Sequence, residues 1–115
     1  MPGIITKFGT PEPVAFKENG CDTEFAARIS GALYIDEYDE AAYGGTESER
    51  KEKLGAFAVG KIKEHLAAWD KEDKLLGVDG ESQLGLMLIN DLKEAGITGS
   101  ACIKNITITE ETNEL

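Results

Sequence analysis

The stretch of this sequence that most resembles a site for chemistry is acidic and runs from Asp70 to Glu81. It connects two predicted helices and has carboxylates at its first, third and last positions, as a calcium loop of the EF-hand type has. The fifth position, which must supply an oxygen ligand, is Lys74, and the sixth, which must be glycine for a sharp turn, is Leu75. We therefore interpret residues 70–81 as a solvated loop, with a calcium- or small-ligand-binding module as the alternative function.

A nucleophilic site would need a cysteine beside a base, and the chain has one histidine, His65, and two cysteines. Because nucleophile and base meet only in the folded chain, spacing leaves open a degenerate hydrolase that uses Cys102 or Cys21. Cys102 alternates within an apolar strand pattern, which favours a small core residue, and His65 borders a helical stripe, which favours a partly buried position. With one histidine and no C-x-x-C pair, the chain lacks the common zinc patterns.

The run Asp36-Glu37-Tyr38-Asp39-Glu40 has enough carboxylates for a general acid and a general base, which must differ in environment. A solvated acidic turn is the simpler interpretation. Gly44-Gly45-Thr46 lacks the lysine and the length of a phosphate loop, and no nucleotide or hydrolase motif occurs elsewhere. We assign no catalytic, cofactor-binding or metal-binding residue, and we predict that the chain is not an enzyme.

Composition limits the possible partners. The length of 115 residues, with 41% hydrophobic and 30% charged residues, predicts one globular domain over residues 1–115. Twelve basic and twenty-two acidic residues give a net charge of −10, which repels nucleic-acid phosphates and anionic lipids. No apolar run approaches the roughly 18 residues of a membrane span, so we expect no direct membrane insertion. The two distant cysteines indicate free thiols in a reducing, cytoplasmic setting.

Apolar spacing predicts three strands at the start of the chain. Residues 4–8 and 14–16 are short apolar pieces around the turn 9–13, whose prolines belong at the rim of a sheet because they cannot donate to a strand ladder. Residues 23–35 alternate in polarity, so we expect a long half-buried strand with its odd-numbered side chains on the core. Gly31 within it indicates a bulge or a close backbone approach.

Two main helices follow a short helical piece that ends at the paired glycines. A capping box at residues 46–49 predicts a helix that reaches about Trp69 and buries one apolar stripe. A second helix is expected from near Asp79 or Ser82 to Ala95, where a following glycine supplies the C-terminal cap.

Residues 98–109 predict a final strand because they are rich in β-branched side chains. Its apolar residues occupy odd-numbered positions at first, Ala101 and Ile103, and even-numbered positions later, Ile106 and Ile108. We therefore expect a bulge near Asn105 or a strand covered on both sides. The predicted fold class is α+β: a twisted antiparallel sheet with two main helices packed on one side, in the order β-β-β-(α)-α-α-β, with the entry and exit strands beside the long middle strand.

Three segments, in this order, carry a family resemblance. They are Lys7-Phe8-Gly9-Thr10-Pro11-Glu12-Pro13-Val14-Ala15-Phe16-Lys17, Ala27-Arg28-Ile29-Ser30-Gly31-Ala32-Leu33-Tyr34-Ile35, and Lys93-Glu94-Ala95-Gly96-Ile97 followed by Ile103-Lys104-Asn105-Ile106-Thr107-Ile108 and Glu110-Glu111. They resemble the entry, middle and exit strands of the SPFH or band 7 domain of stomatin, prohibitin and flotillin, in particular its bacterial virion-core-protein-like branch. The chain departs from that pattern after the middle strand, where acids replace an aspartate-proline, and at Thr109, which replaces a proline.

The resemblance implies a non-catalytic scaffold domain of a membrane-associated bacterial protein that forms homo-oligomers and organises membrane proteins or proteases. It implies no cofactor and no catalytic residue. It also leads us to expect one SPFH-type domain that belongs to a longer chain, whose membrane anchor and long oligomerising helix lie outside these residues. The expected location is cytoplasmic, with membrane association in the longer protein.

Overall fold

The computed structural model describes residues 3–17, 24–69 and 80–111. The elements in chain order are β1 (Ile4–Gly9), β2 (Val14–Lys17), β3 (Glu24–Glu37), α1 (Glu40–Tyr43), α2 (Glu47–Ala67), α3 (Gly80–Glu94) and β4 (Thr98–Glu111). The predicted α+β class and element order are confirmed.

The sheet is antiparallel and is organised around β3. Along one edge of β3, β1 pairs from Ile4↔Ile35 to Gly9↔Ser30, and β2 continues from Val14↔Ala27 to Lys17↔Glu24. Along the other edge, β4 pairs with β3 over its whole length. The entry and exit strands therefore lie on either side of the long middle strand, as predicted.

Thr10 extends the pairing of β1 with β3 by one residue, and the connection to β2 then shifts the register along β3 by two residues. Its amide donates to the Ile29 carbonyl at 2.9 Å, and its hydroxyl accepts from the Ile29 amide at 3.0 Å. Pro11 and Pro13, which have no amide to donate, are exposed beside it. The predicted position of this turn at the sheet rim is confirmed.

A bulge in β4 explains the change of parity along that strand. Ser30 pairs with Asn105 and Gly31 pairs with Ile103, so Lys104 is the extra residue. Because an extra residue reverses the alternation, all four apolar residues of the strand point to the same face. They pack on the core as Ala101, Ile103, Ile106 and Ile108. Of the two sequence-based alternatives, the bulge is the correct one.

The long helices α2 and α3 have defined ends. At the start of α2, the Thr46 hydroxyl accepts from the Glu49 amide at 3.1 Å and donates to the Glu49 carboxylate at 3.0 Å. The predicted cap at Thr46 is present, although the carboxylate accepts from the hydroxyl instead of a second amide. After α3, Gly96 has φ of +77° and the Ile97 amide donates to the Leu92 carbonyl at 2.8 Å, which closes the predicted C-terminal cap.

Both long helices pack on the same face of the sheet and form a two-layer domain. Each contributes a buried stripe at three- and four-residue steps: Leu54, Ala58, Ile62 and Leu66 from α2, and Leu84, Leu88 and Leu92 from α3. The odd-numbered residues of β3 complete this core, as predicted, through Ala27, Ile29, Leu33 and Ile35. Trp69 lies two residues beyond the end of α2 and is also buried.

Candidate interaction surface

The face of the sheet that points away from α2 and α3 is the most distinctive surface of the described residues. Strand alternation sends every second side chain to this face, and we call it the open face. Its positions are Ile5, Lys7, Ala15, Lys17, Glu24, Ala26, Arg28, Ser30, Ala32, Tyr34, Ser100, Cys102, Lys104, Asn105, Thr107, Thr109 and Glu111. No described helix or strand covers it.

Two large apolar side chains are exposed together on the open face. Ile5 is 64% exposed and Tyr34 is 37% exposed. They occupy directly paired positions of β1 and β3, so their side chains are cross-strand neighbours. An exposed aliphatic and an exposed aromatic side chain in contact distance form an apolar patch of the kind that protein partners bury.

A shallow depression of about 500 Å³ adjoins this patch. Its lining includes the small residues Ser30, Gly31 and Ala32 and the cations Lys7 and Lys104. Gly31 is required there because a Cβ atom on it would lie 2.2 Å from the Cys102 carbonyl oxygen and 2.8 Å from the Phe8 ring. The close approach predicted for Gly31 from the sequence is confirmed.

The open face is basic although the chain is acidic. It carries Lys7, Lys17, Arg28 and Lys104 against two acidic positions, Glu24 and the directly paired Glu111. Within the described residues, none of the four cations forms an ion pair. With a net charge of −10 for the whole chain, this face has the opposite sign to most of the molecule and would attract an acidic partner.

The acidic turn lies at one end of β3, and we define it as Asp36, Glu37 and Asp39. All three side chains are exposed, and Tyr38 between them is buried and anchors the turn. Asp39 accepts from the Ala41 amide at 2.9 Å and so caps α1. A solvated acidic turn was predicted and is confirmed. Its carboxylates share one solvent-exposed environment, which does not supply the two different environments of a general acid and base.

His65 contacts an acid that sequence reasoning missed. His65 Nε2 lies 2.5 Å from Asp91 Oδ2, and the two side chains are 26% and 9% exposed. The predicted partly buried position of His65 is confirmed. Asp91 could have been found because it interrupts the apolar stripe of α3 one residue before Leu92. The pair links α2 to α3, and no metal-binding cluster occurs among the described residues.

Cys102 is exposed, so the prediction of a core position is wrong. Its neighbours Ala101 and Ile103 point to the core, and alternation therefore places Cys102 on the open face. His65 lies in the helical layer, and the sheet separates the two side chains. A hydrolase that pairs Cys102 with His65 is not formed.

Two sequence-based candidates fall outside the described residues. Cys21 is one of them, and the stretch 70–81 is the other apart from its last two positions, whose backbone begins α3. Within the described part of the chain, no helix is long and apolar enough to cross a membrane.

No family model matches this chain, and no match was found among curated proteins or solved structures.

Proposed function

We propose that this chain is a non-catalytic assembly module that binds other protein molecules, in the first place further copies of itself, through its open face. The observation that carries the proposal is the asymmetry of the sheet. One face is buried under two helices, while the other presents the exposed pair Ile5 and Tyr34 beside cations that form no ion pair with another described residue. Exposed apolar side chains within a polar surround are the usual composition of a protein-binding surface.

The size of the open face suits a modest protein interface. β3 has 14 residues, which at about 3.3 Å each extend over roughly 46 Å. Three rows of strands about 4.8 Å apart are roughly 14 Å wide, so the face offers on the order of 650 Å². A standard stable interface buries about 800 Å² on each partner, and transient ones bury less. The open face is thus large enough for an association of low to moderate strength.

The family resemblance supports the same function. SPFH-type domains are scaffold domains without catalytic residues, and the segments that carry the resemblance lie in β1, β2, β3, the end of α3 with the turn after it, and β4 of this fold. On this basis we propose a role in a membrane-associated protein that forms homo-oligomers and gathers membrane proteins or proteases. The net charge of −10 favours contacts with proteins over direct adsorption to an anionic bilayer.

Sedimentation velocity of the chain from micromolar to millimolar concentration tests this proposal. We expect the wild-type chain to form species larger than a monomer, and Ile5→Glu to remain monomeric because a charge then lies within the apolar patch. Leu86→Glu is the matched control, since Leu86 on α3 is 67% exposed and Ile5 is 64% exposed. A wild-type chain that stays monomeric throughout, or equal dissociation by both variants, would refute assembly through the open face.

A further inference from the structure

We propose that the open face of one copy binds the acidic turn of a second copy, so that copies join head to tail. This inference rests on the proposed assembly function and specifies its partner. It starts from two surfaces of opposite charge on the same molecule. The open face has four cations against two acidic positions, and the acidic turn has three exposed carboxylates. No ion pair among the described residues satisfies either group.

The two surfaces are too far apart to neutralise each other within one molecule. Arg28 lies nine residues before Glu37 in β3, a separation of about 30 Å along the strand. Lys7 pairs with Ala32, which is four residues before Asp36, the nearest acid of the turn, and about 13 Å away. An ion pair needs its charged atoms within about 4 Å, so these charges are available to a neighbouring molecule.

Small exposed residues follow the acidic turn and leave room for it to approach the depression on the open face. α1 follows the turn directly, and its Ala41 and Ala42 are exposed small residues between the acids and the paired glycines. Lys7 and Lys104 line the depression, where they can receive carboxylates while the small side chains of the turn lie next to them. Electrostatic complementarity of this kind sets which surfaces meet and in which orientation.

Charge favours this arrangement over a symmetric one. Two open faces stacked on each other would bring four cations against four cations, with the two acidic positions Glu24 and Glu111 of each copy to offset them. A contact between two different surfaces avoids this repulsion. A pair of copies joined in this way still has one unoccupied open face and one unoccupied acidic turn, so further copies can add by the same contact. The assembly is a ring if the rotation between neighbouring copies returns to the first copy, and a filament if it does not.

Charge reversal in sedimentation velocity experiments tests the head-to-tail contact. The face variant is Lys7→Glu/Lys104→Glu, and the turn variant is Asp36→Lys/Glu37→Lys, which keeps Asp39 as the cap of α1. We expect each variant to weaken self-association at least about tenfold, since like charges then oppose each other. The control is Lys63→Glu/Lys93→Glu, which makes the same change of net charge as the face variant on the helical side and should assemble like the wild type.

The variant that combines the face and the turn substitutions tests most directly whether these two surfaces bind each other. Its face is acidic and its turn is basic, so the contact is restored with exchanged signs and we expect assembly close to that of the wild type. Circular dichroism melting curves verify that each variant is folded. A turn variant that assembles like the wild type, or a doubly reversed chain that stays monomeric, would overturn the head-to-tail contact. If the wild type assembles and only this pattern fails, the proposed function stands; a monomeric wild type overturns both.

Discussion

At the scale of single residues, Gly31 makes the central pairing of the sheet possible. It lies at the β4 bulge, where the Cys102 carbonyl and the Phe8 ring leave no room for a side chain. The sequence indicated a special role for Gly31, because a glycine interrupts an otherwise regular strand pattern. It could not indicate which atoms approach, since these belong to β1 and β4, far away in the sequence.

The first prediction concerns the space around this glycine. Gly31→Ala would place a Cβ atom 2.2 Å from backbone, which cannot move without disturbing the β3–β4 pairing. We expect a loss of several kcal/mol in the free energy of unfolding, on the order of 3 kcal/mol or more, as for other severe overpacking. Urea denaturation followed by circular dichroism measures it.

Gly60→Ala is the matched control for Gly31→Ala. Gly60 lies within α2, and a Cβ atom added there meets nothing within 4 Å. Since alanine favours the helix over glycine, this variant should gain about 0.5–1 kcal/mol in the free energy of unfolding. Equal stabilities of the two variants would contradict the packing described for Gly31.

At the scale of elements, His65 and Asp91 connect the two long helices through a contact that is mostly buried. His65→Ala removes the partner of a carboxylate that is only 9% exposed, which leaves its charge without compensation. We expect a loss of about 2 kcal/mol in the free energy of unfolding. Lys61→Ala, which removes the exposed pair with Glu64, should cost less than about 0.5 kcal/mol.

The double variant His65→Ala/Asp91→Ala tests whether the contact itself causes the loss. When both polar groups are absent, neither is left buried alone, so the double variant should cost clearly less than the sum of the single variants. Chemical denaturation of the wild type, the two single variants and the double variant gives the four free energies of unfolding of this double-mutant cycle. Losses that add to within about 0.3 kcal/mol would show that the two side chains do not interact.

The elements themselves were largely predictable, and the exceptions have physical causes. Alternation identified β3 and its core face, and three- and four-residue spacing identified α2 and α3. The β4 bulge could be expected only as one of two alternatives, because parity alone does not distinguish a bulge from a strand covered on both sides. The incorrect prediction that Cys102 lies in the core has the same origin. An apolar type within a strand suggests the core, whereas the paired strand decides which face is covered.

At the scale of the whole molecule, the open face could not be predicted from the sequence because its charged residues are far apart along the chain. Its cations come from all four strands, and no segment of the chain is basic over its length. The composition therefore indicates only a net charge of −10, which conceals a basic face. The sheet pairing brings Lys7, Lys17, Arg28 and Lys104 to one side, and only the fold makes the complementarity with the acidic turn visible.

Cys102 offers the most direct test of assembly through the open face, because its thiol is exposed on that face. In a chain with Cys21→Ser, the rate of alkylation by a maleimide reports the accessibility of Cys102 alone. We predict that this rate falls as the protein concentration enters the range in which sedimentation shows assembly. We expect the Ile5→Glu variant to react, at every concentration, at the rate that the wild type shows when it is dilute and monomeric. A chain that assembles while its Cys102 reacts at the dilute rate would contradict the proposed interface.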